Sequence, residues 1–291
     1  MLNKIKGQML NLGLKFISVD EKLVRMILET GSSNINEIVI LPAVKLVMKK
    51  IVNKLQNKIA HGRVYNGVLN GIKVSVIRSQ IGSPNMALII EALRRTKAKI
   101  VIRVDFCGGV VEENNPINIG DIVIPKQAYC GDGTSLEYIR ANPMLLNNLE
   151  SVQNPLTVIQ NLIAASQSIF ITKPNEFLRE IIYKEARVNY PKKIRESNLW
   201  TTDALFCENF EFIKALKVTN IEAIDMESSI MFMLGGLYNI KVSSILSVSD
   251  LPGHPQFDLL NSNEIHPAME TGIDMAIKVI INALPRIQQA L

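Results

Sequence analysis

Cysteine is scarce in this chain of 291 residues, and its three copies are spaced in a way that excludes two classes of small protein. Cys107, Cys130 and Cys207 are far apart, odd in number and without a Cys-x-x-Cys pair. Neither a disulfide framework nor a zinc knuckle is expected from them. A reducing cytoplasmic setting follows. Long apolar runs are missing as well, and none approaches the roughly 20 residues a bilayer-spanning helix needs. The N-terminal MLNKIKGQMLNLGLKFISVDEKL breaks its apolar residues with Lys4, Lys6, Lys15 and Asp20, so it offers no signal-peptide core. No membrane partner is expected. Nor does any internal repeat, low-complexity segment or clear linker divide the chain.

The net charge of +5 spreads 32 basic residues among 27 acidic ones. The densest basic stretch, Lys184, Arg187, Lys192, Lys193 and Arg195, contains Glu185, is followed by Glu196 and has little aromatic interleaving. It reads as a solvated face rather than a nucleic-acid surface. With 47% hydrophobic residues the chain can bury a sizeable core. Short β-like runs alternate with helical ones, the pattern of an α/β fold with a mixed central β-sheet flanked by helices.

Several elements are readable one by one. NEIVIL is a short buried strand, and PAVKLVMKKIVNKL repeats its apolar residues at helical spacing. GVLNGIKVSVI holds two β-rich runs joined by Asn70-Gly71, which favours a type I′ hairpin. Pro84 sits where the helix NMALIIEALRR can begin, ahead of the strand AKIVIRV. GDIVIPKQAYC reads as a strand followed by the polar turn GDGTS, and residues 140–175 as irregular connections around short helices. Beyond them come a helix in EFLREIIYKEA, an extended LWTTDALF, a strand in IEAIDM, a helix in ESSIMFMLGGLY, a strand in KVSSILSVSD and a last helix in METGIDMAIKVIINAL. The organisation expected is an N-terminal extension over 1–35 and a single α/β domain over 36–291, with an irregular insertion at about 140–198.

Apolar runs end in charge at Arg103 and Asp105 in VIRVDFCGG, at Asp225 and Glu227 in IEAIDMESS, and at Asp250 in SILSVSDLPG. Ligands of open α/β sheets bind beyond the carboxyl ends of strands. A carboxylate such as Glu227 can accept hydrogen bonds from two adjacent hydroxyls, as on a sugar, or simply add charge at a helix start. Asp250 can donate a proton if burial raises its pKa, or merely cap a turn. Arg103 can fork onto an anion while Gly108 and Gly109 let the backbone approach, or serve as a structural ion-pair partner.

Taken in order, these segments resemble the nucleoside phosphorylase family, which includes purine nucleoside, uridine and methylthioadenosine phosphorylases. IRVDFCGGV is similar to that family's Arg-Val-Gly-(Ser/Thr)-Cys-Gly loop, IDMESS to its Glu-Met-Glu motif, and SVSD to its Ser-Asp strand end. GSPNMALIIEAL, GDGTSLEY and TTDALF resemble further segments, and the likeness runs from about 36 to 284. The resemblance implies phosphorolysis of a purine nucleoside to free base and ribose 1-phosphate, with phosphate as co-substrate and no metal or organic cofactor. It implies Arg103, Cys107 and Gly108 at the phosphate, Met226 and Glu227 at the ribose, and Leu205, Phe206 and Asp250 at the base. Asp250 and Glu227 would be the catalytic pair, in a homo-oligomer between dimer and hexamer.

The sequence departs from that pattern where the co-substrate should sit. ILPAVKLV stands in place of the early Gly-Asp-Pro-x-Arg motif, and lysine cannot reproduce the arginine fork. Asp105 replaces a glycine and Phe106 a hydroxyl residue. A carboxylate roughly 4 Å from an anion costs about 4 kcal/mol at an effective dielectric near 20. Two further readings follow: a phosphate-independent nucleosidase, and a weakly catalytic nucleoside-binding or assembly protein.

Overall fold

Successive residues of a strand face opposite sides of its sheet, and here both sides are covered. Ile38 and Ile40 enter one apolar core while Val39 and Leu41 enter another. The computed structural model describes residues 17–111, 116–158, 166–289 and 291. Residues 1–16 of the expected extension and 159–165 of the expected insertion lie outside them. In chain order come α1 (Val19–Leu28), β1 (Ile38–Leu41), α2 (Lys45–Val52), β2 (Gln56–His61), β3 (Val64–Leu69), β4 (Ile72–Ile77), α3 (Ser83–Leu93) and β5 (Ile100–Gly109). β6 (Ile122–Gly131), α4 (Gly133–Ala141), β7 (Glu150–Gln153), β8 (Ser168–Thr172), α5 (Glu176–Asn189) and β9 (Ile194–Thr202) follow. α6 (Phe210–Val218), β10 (Ile221–Asp225), α7 (Ser228–Tyr238), β11 (Lys241–Asp250) and α8 (Pro267–Gln288) complete the order.

All the strands join one mixed sheet of 11, ordered β2-β3-β4-β1-β5-β10-β9-β6-β8-β7, with β11 pairing β5 and β6. The expected mixed sheet flanked by helices is thus present. β11 runs parallel to β5, β6 lies antiparallel to β11 and parallel to β9, β9 parallel to β10, and β10 antiparallel to the end of β5. Those five strands therefore close on themselves. α1, α3 and α7 supply one core, with Val24, Leu28, Met86, Ile90 and Met231 among its buried members. α2, α5 and α8 supply the other, including Val47, Ile51, Ile182 and Ile277. Trp200 packs edge-on to Phe212 at 5.8 Å and joins α6 to the strands. Among the described residues no helix is long and apolar enough to cross a membrane.

Local chemistry explains where the elements begin and end. Asn70 and Gly71 adopt φ of 47° and 79°, as a type I′ hairpin requires. Pro84 lies in the first turn of α3. The polar GDGTS is a helix start rather than a free turn, because the Asp132 side chain accepts from the Ser135 N–H and caps α4. Between 140 and 175 the short helices are 3-10 turns, Pro143–Asn147 and Pro155–Val158, and β7 and β8 add an antiparallel edge ladder. α1 packs Val24 and Leu28 into the core shared with α3 and α7, so residues 19–28 are part of the packed body.

α8 approaches the sheet closely at Gly272. A Cβ there would stand 2.2 Å from the Ser247 Oγ and 2.7 Å from the Gly120 Cα. Gly272→Ala should therefore cost about 1–3 kcal/mol by overpacking. Urea denaturation checks it, and a variant as stable as the parent would show that α8 can lift off without penalty.

Candidate active site

β5 changes partner along one edge. Residues 100–103 pair with β1 and residues 108–109 with β10, so that edge between them pairs with neither. Such a break in strand order is where a crevice opens at the carboxyl ends of strands. Arg103, Asp105 and Cys107 alternate with Val104 and Phe106, which turn toward the opposite core. A cleft opens here, lined by Arg103, Asp105, Cys107 and Gly108, by Asp225, Met226 and Glu227, and by Leu205, Glu208 and Asp250.

Arg103 is 2% exposed and tied on two sides. Its Nη1 donates to Asp225 Oδ2 and, at 3.2 Å, to the Ser228 Oγ, while Nη2 donates to Glu227 Oε2. Asp105 lies 3.9 Å away. Burial opposes the guanidinium charge, but Glu227, Asp225 and Asp105 outweigh it and hold the pKa above its ordinary value. Asp225 is itself fixed: Thr201 Oγ1 donates to its Oδ1 at 2.7 Å and the Ser228 N–H to its Oδ2 at 3.0 Å. Thr201 in turn accepts from the Ser229 N–H at 3.0 Å, and the Ser229 hydroxyl donates to Asp132.

Glu227 begins α7 and takes a second hydrogen bond on Oε1, from the Gly82 N–H at 2.7 Å. Burial pushes it up to about 7, against the pull of Arg103. Asp105 accepts from the Ala43 N–H on Oδ2 at 2.5 Å. Burial raises its pKa too, opposed by Arg103 and by the N–H groups of Ala43, Phe106 and Val44. Among the described residues, Asp105 Oδ1 and Arg103 Nε are buried without a hydrogen-bond partner. Across the cleft, burial raises Asp250 while the Ser249 hydroxyl, 2.6 Å from its Oδ1, and the Leu259 N–H hold it back. Gly108 lets this loop approach, since a Cβ there would stand 2.9 Å from Pro252.

The structure brings most of the residues singled out from the sequence to this cleft: Arg103, Cys107, Gly108, Leu205, Met226, Glu227 and Asp250. Phe206 is not among them. It is 85% exposed, because Leu205–Cys207 forms a 3-10 turn that directs Leu205 to the cleft and Phe206 outward. Arg103, expected at a phosphate, is engaged by Asp225 and Glu227. Glu208 was not singled out from the sequence. It precedes Asn209, the cap of α6, and an acid there reads as ordinary charge at a helix start.

An α/β sheet with charged strand ends gathered at its switch point defines the class of architecture. The chain belongs to the phosphorylase superfamily, whose family model matches residues 37–284. It is 27% identical over 179 residues to a DeoD-type purine nucleoside phosphorylase of Buchnera aphidicola; the match takes in 61% of this chain and spans 63% of that relative's length. Solved structures show the same fold. One is a uridine phosphorylase of Vibrio fischeri complexed with 6-hydroxy-1-naphthoic acid, at TM-score 0.65, 21% identity and coverage of 87% of this chain and 93% of that one. Another is the purine nucleoside phosphorylase of Toxoplasma gondii in complex with immucillin-H, at TM-score 0.65, 17% identity and coverage of 89% and 94%.

Glu208 makes the electrostatics measurable. Burial first, then Asp250 and Asp258, push its carboxyl up to about 8 from 4.5. Between those values the folded chain keeps a proton that the unfolded chain releases, so stability is lost as pH rises from about 4.5 to about 8. Glu227 acts in the same direction. Glu208→Gln should flatten the fall in melting temperature between pH 5 and 8, recovering roughly 2–4 kcal/mol at the upper end. Parallel curves for variant and parent would show that the carboxyl is not held protonated.

Proposed function

We propose that the protein cleaves the N-glycosidic bond of a purine nucleoside and transfers the ribosyl group to inorganic phosphate. The observation that carries this reading is the gathering of Glu227, Met226 and Asp250 around one cleft that Arg103 also lines. Glu227 keeps free lone pairs on both oxygens and accepts the ribose hydroxyls, with Met226 against the sugar. Gly82 and Arg103 fix the carboxylate, so it meets the ribose already oriented. Asp250, with its pKa raised by burial, donates a proton to the leaving base as the C–N bond lengthens. Positive charge developing on the ribosyl group is stabilised by the carboxylates beneath it. Phosphate enters beside Cys107 and Gly108 and is met by the unpaired Nε–H of Arg103.

One observation favours a second acceptor. Asp105 already occupies the Ala43 N–H and stands 3.9 Å from Arg103. An internal carboxylate there competes with phosphate for the same donors. Its unpartnered Oδ1 is placed to accept a proton from water. In this reading ribose is released by hydrolysis.

Base release from inosine, guanosine and adenosine, with and without phosphate, separates the two acceptors. Phosphate-dependent release is expected from the first, and Asp105→Gly should then improve phosphate use about tenfold or more by removing the repulsion. Release independent of phosphate, and lost in Asp105→Asn, supports hydrolysis. Under either acceptor Asp250→Asn should lower kcat by about 10²–10⁴-fold. Full turnover in both Asp250→Asn and Glu227→Gln would remove the assignment of this cleft.

A further inference from the structure

Arg103 divides its guanidinium between two carboxylates, although one carboxylate can take two of its nitrogens. Nη1 donates to Asp225 Oδ2 and Nη2 to Glu227 Oε2. Arginine and carboxylate frequently pair in a fork of two parallel hydrogen bonds. On Asp225 that fork is closed off, because the second oxygen, Oδ1, accepts from Thr201 Oγ1 at 2.7 Å. Thr201 is fully buried, is not among the residues that line the cleft, and pairs directly with Asp225 in the β9–β10 ladder. The direction of its hydroxyl is determined. The Ser229 N–H, 3.0 Å away, can only donate, so the hydroxyl hydrogen is left for Asp225. Ser229 is held in turn by Asp132 of the GDGTS segment, which also stands outside the cleft lining.

We infer that Thr201 is a positioning residue for sugar recognition: by occupying Asp225 Oδ1 it keeps Arg103 shared, so that Nη2 stays on Glu227 and orients that carboxylate for a vicinal diol. This rests on the proposed nucleoside site and adds a residue on which its sugar selectivity depends. Without the hydroxyl, Oδ1 becomes a buried acceptor with no donor, since the Asp225 side chain is fully buried. Such an acceptor is costly to leave unmatched. Arg103, already bound to Oδ2, has a second nitrogen to give it. A fork on Asp225 withdraws that nitrogen from Glu227, which then keeps the Gly82 N–H alone. Two hydrogen bonds from different directions set the plane of a carboxylate, whereas one lets it turn. The diol then meets a group that has to be oriented on binding.

In 9-deazainosine the base is joined to the sugar through carbon, so it resists cleavage and reads binding apart from turnover; its 2′,3′-dideoxy form lacks the diol. By calorimetry, wild-type protein should bind the first about 10- to 100-fold more tightly than the second, the range that hydrogen bonds to a charged group supply. Thr201→Val keeps the shape and removes the hydroxyl. It should bring the ratio down to about threefold or less and leave affinity for the dideoxy form nearly unchanged. Thr201→Ser, which keeps the hydroxyl, should restore the wild-type ratio, and Thr201→Ala carries the same test as valine where valine does not fold. An unchanged ratio in Thr201→Val, an equal loss of both analogues in it, or a Thr201→Ser ratio as low as that of valine would each overturn the proposal, as would a wild type that binds the two equally or binds neither. Thr201-dependent preference for the diol without base release from any nucleoside leaves this proposal standing and removes the transferase reading. Base release with a preference that Thr201→Val leaves intact does the reverse.

Discussion

The guanidinium of Arg103 is the contact on which the rest of the site depends. It sits on β5, and its partners Asp225 and Glu227 lie at the end of β10 and the start of α7. One side chain thereby joins the strand that opens the cleft to the segment that supplies its floor. A buried ion pair is weak evidence for net stability, because desolvation offsets much of the attraction. Removing one partner is a different matter, since it leaves an uncompensated charge and costs about 3–5 kcal/mol. The cluster holds carboxylates in excess of cations, and burial raises the pKa of both Glu227 and Asp105 against the pull of Arg103. The site is accordingly a place where protons and ligands compete for the same groups.

That excess also separates the two acceptor chemistries. Phosphate adds negative charge to a cleft already rich in carboxylate, whereas water adds none. The balance turns on Asp105, whose Oδ2 accepts from the Ala43 N–H. Serial support behind Asp225, from Thr201 through Ser229 to Asp132, fixes the floor of the cleft. The cleft is therefore preorganised around a positively charged guanidinium and a hydrogen-bonded carboxylate set.

Much of the architecture could be read from apolar runs bounded by turn chemistry. β1, the β3–β4 hairpin, β5, β6, β10 and β11 all carry buried apolar residues that mark them out. β2 could not be found this way, because Gln56–Ala60 is exposed throughout and gives no buried face. α1 sets Val24 and Leu28 one helical turn apart, but the partner that buries them, the core shared with α3, lies far along the chain. GDGTS reads as a turn from composition, and only the Asp132 cap makes it the start of a helix. In the site, charge at three strand ends was legible since each followed an apolar run. What could not be read was direction: that Arg103 turns to Asp225 and Glu227, that Asp105 reaches the Ala43 N–H, and that Phe206 turns out while Glu208 is buried. Those are tertiary facts.

The unpaired edge of β5 between its contacts with β1 and β10 has a consequence for how such a protein can diverge. Side chains at 103, 105 and 107 line the cleft, whereas Val104 belongs to the other core and Phe106 packs against it from the cleft's rim, so position 105 faces away from that opposite packing. On its other edge position 105 stays in the ladder with β11, opposite Leu246. Position 105 thus bears on the cleft through its side chain while its backbone stays within the sheet. A lineage can exchange one co-reactant for another there by point substitution, without passing through an unfolded ancestor.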